Sequence, residues 1–280
     1  MPADVIKEIS PASREYPSRL RRLCPPPGLR VWGRLEPDSP MVALVGTRGA
    51  LRESTLAAHD LAGELSRAGL VVVSGGAIGV DAGAHSGALE AGGRTVAVLG
   101  SGLKRLYPAR NEALFARIAR AGAVISPYPD DAPPRRGHFP HRNRIVAALA
   151  RAVVVVEAPR RSGALNTASH ARALEVPVLA MPRGEGALQL LRTGAGLVTE
   201  ASDVLRVLEG DPLRSFLELP GDADEQAVLE LLHEAARGLT LDLAARQLGW
   251  RVPRTAAALL RLEIAGWVRS GAGGRFVRTA

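Results

Sequence analysis

Short apolar runs recur along the first two hundred residues, and each is followed by a longer segment with helical periodicity. The runs fall at 42–45, 70–73, 95–99, 123–125, 153–156 and 176–180. They are rich in Val and continuous, the pattern of strands covered on both faces of a parallel sheet. Segments 53–68, 80–92, 110–121, 141–150 and 164–174 carry the helical pattern, and a further strand and helix are expected within 196–209. This alternation predicts an α/β fold: a Rossmann-like, doubly wound, mostly parallel sheet.

The pattern changes at both ends. Residues 1–40 are rich in Pro and Arg, with Pro25, Pro26 and Pro27 in a row, and read as an extended N-terminal lead-in. The Rossmann-like domain is placed at 41–210. A polar linker follows at 211–223, with Pro212, Pro220 and Gly221. Beyond it, 224–236, 240–248 and 253–265 are short helical patterns. Two β-like pieces, 267–270 and 275–278, follow around Gly271, Gly273 and Gly274. Three helices and a glycine-tipped hairpin predict a small winged helix over 224–280.

In an open parallel sheet, ligands bind outside the carboxyl ends of the strands, so the strand-to-helix junctions carry the candidate chemistry. The first junction reads Gly46-Thr47-Arg48-Gly49. The second reads Ser74-Gly75-Gly76-Ala77-Ile78-Gly79-Val80-Asp81. Gly100-Ser101-Gly102 and then Tyr107-Pro108-Ala109-Arg110-Asn111 follow the third strand, and Phe139-Pro140-His141-Arg142-Asn143-Arg144 follows the fourth. Arg160-Arg161-Ser162-Gly163 follows the fifth. Gly lets backbone N–H groups approach a ligand, and Ser, Thr and Asn add neutral donors. Arg142 and Arg144 are expected in the first turn of a helix, and Arg48, Arg110, Arg160 and Arg161 at other helix starts. A cation there opposes the helix dipole by roughly 0.3–1 kcal/mol, which makes sense where an anion occupies the site.

Charge sharpens this picture. The net charge is +8, and Lys occurs only at Lys7 and Lys104, so the basic residues are almost all Arg, the better phosphate ligand. Stretch 135–161 holds seven Arg and one acid, Glu157, whereas 222–280 is only +1. Six arginines on one edge favour a polyanion over a single nucleotide. Aromatics are 4% of the chain, so a long stacking platform is not expected, and Phe139 is the one aromatic within the basic stretch. No segment is built for base-edge readout. The expected ligand is therefore a polyanion, bound without sequence preference and sensitive to salt.

Other chemistries fare worse. There is no GxxxxGK[ST] loop and no GxGxxG. Cys24 is the only cysteine and has no His near it in sequence, which fits a reducing, cytoplasmic setting. His138 and His141 have metal-ligand spacing but no completing cluster, and read as an extension of the basic surface. Asp81 reads as a helix-start acid. No apolar run approaches a membrane span. No cofactor and no enzyme activity are expected. The alternatives are an enzyme or sensor for a nucleotide-like small molecule, and a duplex-binding regulator acting through Arg254 and Arg261 of the winged helix.

The junctions resemble those of the DNA-processing protein A (DprA, or Smf) family. The likeness lies in Val42 to Arg48, Ser74 to His85, Val96 to Gly100, Tyr107 to Asn111, Phe139 to Arg144, Val155 to Ala158 and Ser162 to Ala168, with Tyr16-Pro17, Pro26-Pro27 and Trp32-Gly33 resembling the family's lead-in. The resemblance implies a homodimer that binds single-stranded DNA and hands it to the RecA recombinase during natural transformation. It also implies a DNA pocket at Gly46, Thr47, Arg48, Ser74, Gly75, Gly76, Phe139, Arg142, Asn143, Arg144, Ser162 and Gly163. Ile78 stands where many such proteins have Arg or Lys, and the segment from Met181 to Arg192 is shorter than usual.

Overall fold

The computed structural model describes residues 5–211, 223–235 and 238–279. Its centre is a parallel sheet of β3 (Met41–Gly46), β4 (Val71–Ser74), β5 (Thr95–Val98), β6 (Ala123–Ser126), β7 (Ala152–Glu157), β8 (Val178–Ala180) and β9 (Gly196–Leu197). The crossover helices are α1 (Arg52–Arg67), α2 (Val80–Glu90), α3 (Glu112–Ala121), α4 (His138–Leu149), α5 (Gly163–Ala173) and α6 (Glu185–Arg192), and α7 (Ala201–Glu209) follows β9. Each predicted run is a strand and each helical segment a helix. The strands are continuous in apolar residues because both faces are covered: Ala43 and Val45 enter one core, Val42 and Leu44 the other.

The chain builds β3 to β6 in one direction, then returns to place β7, β8 and β9 on the other side of β3. The order therefore reverses between β3 and β7. The loops leaving these two strands diverge and open a crevice at their carboxyl ends. On one face, α1 and α2 meet along a glycine seam. A Cβ on Gly87 would stand 1.9 Å from the His59 carbonyl oxygen, and one on Gly83 2.5 Å from that of Thr55. Only glycine at both positions lets the two backbones touch.

The N-terminal segment corrects an expectation. It is not a lead-in set apart from the domain: β1 (Ile6–Ile9) and β2 (Leu29–Gly33) extend the same sheet, with β2 antiparallel to β6. Leu29 and Val31 point inward while Arg30 and Trp32 are half-buried, the period-two pattern of a strand. Tyr16 and Leu20 bury in the core, and Tyr16 donates to the Pro27 carbonyl at 2.8 Å. Arg19 donates to the carbonyls of Ala148 and Ala150, satisfying the end of α4.

The C-terminal unit is a winged helix with its own small core. It comprises α8 (Ala223–Glu234), β10 (Leu239–Thr240), α9 (Leu241–Leu248), α10 (Val252–Ile264), β11 (Val268–Gly271) and β12 (Arg275–Arg278). Pro253 sits in the first turn of α10, where no hydrogen bond is lost. Arg192 of α6 donates to the Ile264 carbonyl at 3.2 Å, and Ile264 buries against the α/β core, so the end of α10 rests on the larger domain. The expected linker prolines, Pro212 and Pro220, and Gly221 lie outside the described residues.

Candidate nucleic-acid interface

The crevice between β3 and β7 holds a cavity of about 300 Å³. Gly46, Thr47 and Arg48 form one wall and Pro159, Arg161, Ser162 and Gly163 the opposite one. Phe139, Pro140, Arg142 and Asn143 of α4 come in from the side, and Gly75, Ala77 and Asp81 close the floor. A smaller hollow of about 60 Å³ adjoins it, lined by Arg48, Ile78, Gly100, Tyr107, Pro108 and Phe139 among others.

Arg48 belongs to both. Its guanidinium lies 4.8 Å from the centroid of the Phe139 ring, a cation–π contact that holds the charge at the mouth. Phe139 in turn meets Tyr107 at 5.7 Å in a tilted pair. Among the described residues, neither Arg48 nor Arg161 forms a salt bridge. Both line the opening, and Arg48 stands close enough to the buried Asp81 carboxyl to pull its pKa down against the effect of burial.

Arg142 differs from its expected place. Helix α4 begins at His138, because Pro140 fits the first turn where its missing N–H costs nothing. Arg142 and Arg144 are thus in the second turn, away from the positive end. Arg142 is 4% exposed, and its Nη1 donates to the carbonyls of Gly75 and Val98, joining the ends of β4 and β5. Burial, with Arg48 nearby, pulls its pKa down to about 10, so it stays cationic at neutral pH. Burial pushes the Asp81 carboxyl up against the opposing pull of Arg142. Asp81 also accepts from the Ala77 N–H at 3.2 Å, so this helix-start acid closes the glycine loop. The Nε of Arg142 is buried without a partner.

The glycines also act differently from expectation. A Cβ on Gly75 would meet the Arg142 guanidinium at 2.6 Å, and Gly76 turns the chain with φ +70°. At these two positions the freedom also serves the protein's own packing, and Gly75 lines both hollows.

Ten of the sixteen expected site residues line the main cavity: Gly46, Thr47, Arg48, Gly75, Phe139, Arg142, Asn143, Arg161, Ser162 and Gly163. Ser74, Gly76, Arg110, Asn111, Arg144 and Arg160 line neither hollow. Ser74 is buried and donates to the Leu44 carbonyl at 2.6 Å. Asn111 is buried too, and its Nδ2 donates to the carbonyls of Gly76 and Ala77, pinning the loop that Asp81 closes. Arg110 is exposed beyond the rim. Arg160 is exposed and reaches Glu185 at 3.8 Å. His141 does not extend the basic surface at neutral pH. His138 stacks on Tyr128 and hydrogen-bonds the Gly100 carbonyl, and burial and then Arg144 hold His141 below the usual imidazole range. Sequence reading missed Tyr107, Asn166 and Thr167. Asn166 and Thr167 lie one turn beyond Ser162 and Gly163, a spacing that puts them on the same helix face.

The family model for DNA recombination-mediator protein A matches residues 7–209. The chain belongs to that family. The DprA winged helix domain model matches residues 216–274. Among its relatives, a putative DNA processing protein DprA of Mycobacterium tuberculosis is 42% identical over 251 residues, covering 83% of this chain and 63% of that protein. The protein Smf of Synechocystis is 38% identical over 250 residues, covering 82% and 63%. This chain thus spans less than two thirds of either relative's length. The X-ray structure of DNA processing protein A from Streptococcus pneumoniae superposes with TM-score 0.67 at 36% identity, over 72% of this chain and 74% of that one. That of Helicobacter pylori, solved for its single-stranded DNA binding mode, gives 0.67 at 31% identity, over 74% and 97%.

Proposed function

We propose that this chain binds single-stranded DNA at the β3–β7 crevice without sequence preference, and acts as a recombination mediator rather than as a catalyst. The observation that carries the reading is the pair of arginines, Arg48 and Arg161, on opposite walls of the crevice, neither in a salt bridge among the described residues, with Phe139 and Tyr107 beside Arg48 as faces for a base. Backbone phosphates take the guanidinium forks, and one or two unstacked bases take the rings. By family, the strand is delivered to a RecA-type recombinase by a homodimer in the cytoplasm during natural transformation.

The winged helix argues against duplex reading through α10. Arg254 makes a two-pronged pair with Asp224 at 2.8 and 2.6 Å, and Arg261 pairs with the buried Glu225. Both acids are on α8, so these charges are paired within the domain, Arg254 at its surface and Arg261 against buried Glu225. A small nucleotide would also fit a cavity of this size, and the test separates the two. Fluorescence anisotropy of a labelled oligothymidine, against an equal-length duplex and a mononucleotide competitor, is measured over a salt series. Tight single-strand binding that weakens with a log–log slope of about 0.7 per phosphate supports the proposal. Equal duplex affinity, or displacement by stoichiometric mononucleotide, overturns it.

A further inference from the structure

Beside the crevice lies a second cluster of donors that the cavity does not use. His141 and Arg144 extend from α4 and His170 from α5, while Tyr128 comes from the loop after β6. The Tyr128 hydroxyl is 3.0 Å from His141 Nδ1, and the His170 ring hydrogen-bonds the Pro140 carbonyl. Arg144 is half-buried, its Nε is buried without a partner, and among the described residues it makes no ion pair. The charged and titratable groups that face the two imidazoles are Arg144 and His138, with Tyr128 beside them; Tyr16 and Arg21 of the N-terminal segment stand behind Arg144. No carboxylate is among them.

The cluster is continuous with the cavity. Asn143 donates to Asn166 at 3.1 Å across the α4–α5 seam, both line the cavity, and His170 is one helical turn beyond Asn166. His170 thus stands one helical turn, about 5.4 Å, beyond the cavity lining, within reach of a strand leaving the crevice over this seam.

We propose that Tyr128, His141, Arg144 and His170 form a second phosphodiester-binding station, on the path of the strand leaving the crevice. The proposal rests on the single-strand reading above. One guanidinium and two imidazoles with no acid among them match a singly charged phosphodiester, which accepts from Arg144 and from each imidazole once it is protonated, while Tyr128, whose hydroxyl donates to the His138 carbonyl at 3.2 Å, holds His141 in place. Burial first, then Arg144, holds both imidazoles below their ordinary pKa in the free protein, so they are neutral at pH 7. A phosphate between them reverses that balance, and binding takes up protons.

The test compares a long oligothymidine with a short one that fills only the cavity, at pH 8, 7 and 6, on wild type, H141N/H170N and R48A. The wild type is expected to bind the long strand on the order of tenfold tighter at pH 6 than at pH 8, the equivalent of one imidazole pKa unit. The double variant keeps the pH 8 affinity at every pH and matches wild type on the short strand. Full pH dependence in the double variant overturns the station. So does a pH effect of equal size on the short strand that inorganic phosphate abolishes, which assigns the notch to a free or terminal phosphate. Failure of the wild type to bind either strand, or unaltered binding by R48A, strikes the crevice reading itself and is distinct from both.

Discussion

Arg48 and Arg142 line the same cavity, yet they should fail in opposite ways when truncated. Arg142 holds two buried carbonyls, those of Gly75 and Val98, and stands against the buried Asp81. Each bond from a charged donor contributes about 1.5–3 kcal/mol, and losing one partner of a buried charged group costs about 3–5 kcal/mol. The relief of desolvating Arg142 itself, evident in its lowered pKa, offsets part of this. An expected loss of about 3 kcal/mol lowers the Tm of a chain this size by on the order of 10 °C. Arg48 makes no salt bridge among the described residues and packs over Phe139, so Arg48→Ala should move the Tm by no more than about 2 °C while weakening single-strand affinity at least about tenfold, or ~1.4 kcal/mol. The assay is thermal unfolding by circular dichroism beside anisotropy with labelled oligothymidine. Wild-type Tm for Arg142→Ala, with binding lost, would refute the claim that this arginine joins the strand ends.

His85 and the winged helix supply two further tests. The Thr95 hydroxyl donates to the Val72 carbonyl, so His85 donates from Nδ1 to Thr95 at 2.7 Å, and its bare Nε2 is buried without a partner. Burial drives the His85 pKa from 6.5 down to about 3. The unfolded chain therefore takes a proton near 6.5 that the folded chain does not, and stability should fall as pH drops from 6.5 toward 3, by up to ~1.4 kcal/mol per pH unit. Urea denaturation across that window measures the slope, and His85→Gln should flatten it; an unchanged slope assigns the acid sensitivity elsewhere. Removing residues 212–280 should leave single-strand affinity within about threefold, under ~0.7 kcal/mol. A larger loss by anisotropy would give the winged helix a direct part in binding.

The alternation of strands and helices was legible in the sequence because a sheet covered on both faces demands continuous apolar runs. The ligand edge followed from topology, and Arg48 and Arg161 from their place at junctions after β3 and β7. Other features had no local mark. The N-terminal strands were hidden by flanking prolines and by the shortness of the Leu29 and Val31 alternation. Pro140 reads as a helix boundary unless its neighbours show that it sits in the first turn. The bonds from Arg142 to Gly75 and from Asn111 to Gly76 span 67 and 35 residues, and nothing near either residue announces a distant carbonyl. An arginine in a basic stretch reads as surface until burial is seen.

The glycine seam between α1 and α2 fixes more than a helix pair. The loop carrying Arg48 enters α1, and the loop carrying Gly75 and Ala77 enters α2. With the two backbones in contact at Gly83 and Gly87, these loops cannot spread apart, and their spacing is set before any strand arrives. One jaw of the crevice is thus an anvil of fixed shape. On the single-strand reading proposed above, the backbone is seated between this jaw and the one from Pro159 to Gly163. On that reading the Arg48 jaw is ordered before capture, which lowers the ordering cost of binding any strand, whichever bases it carries.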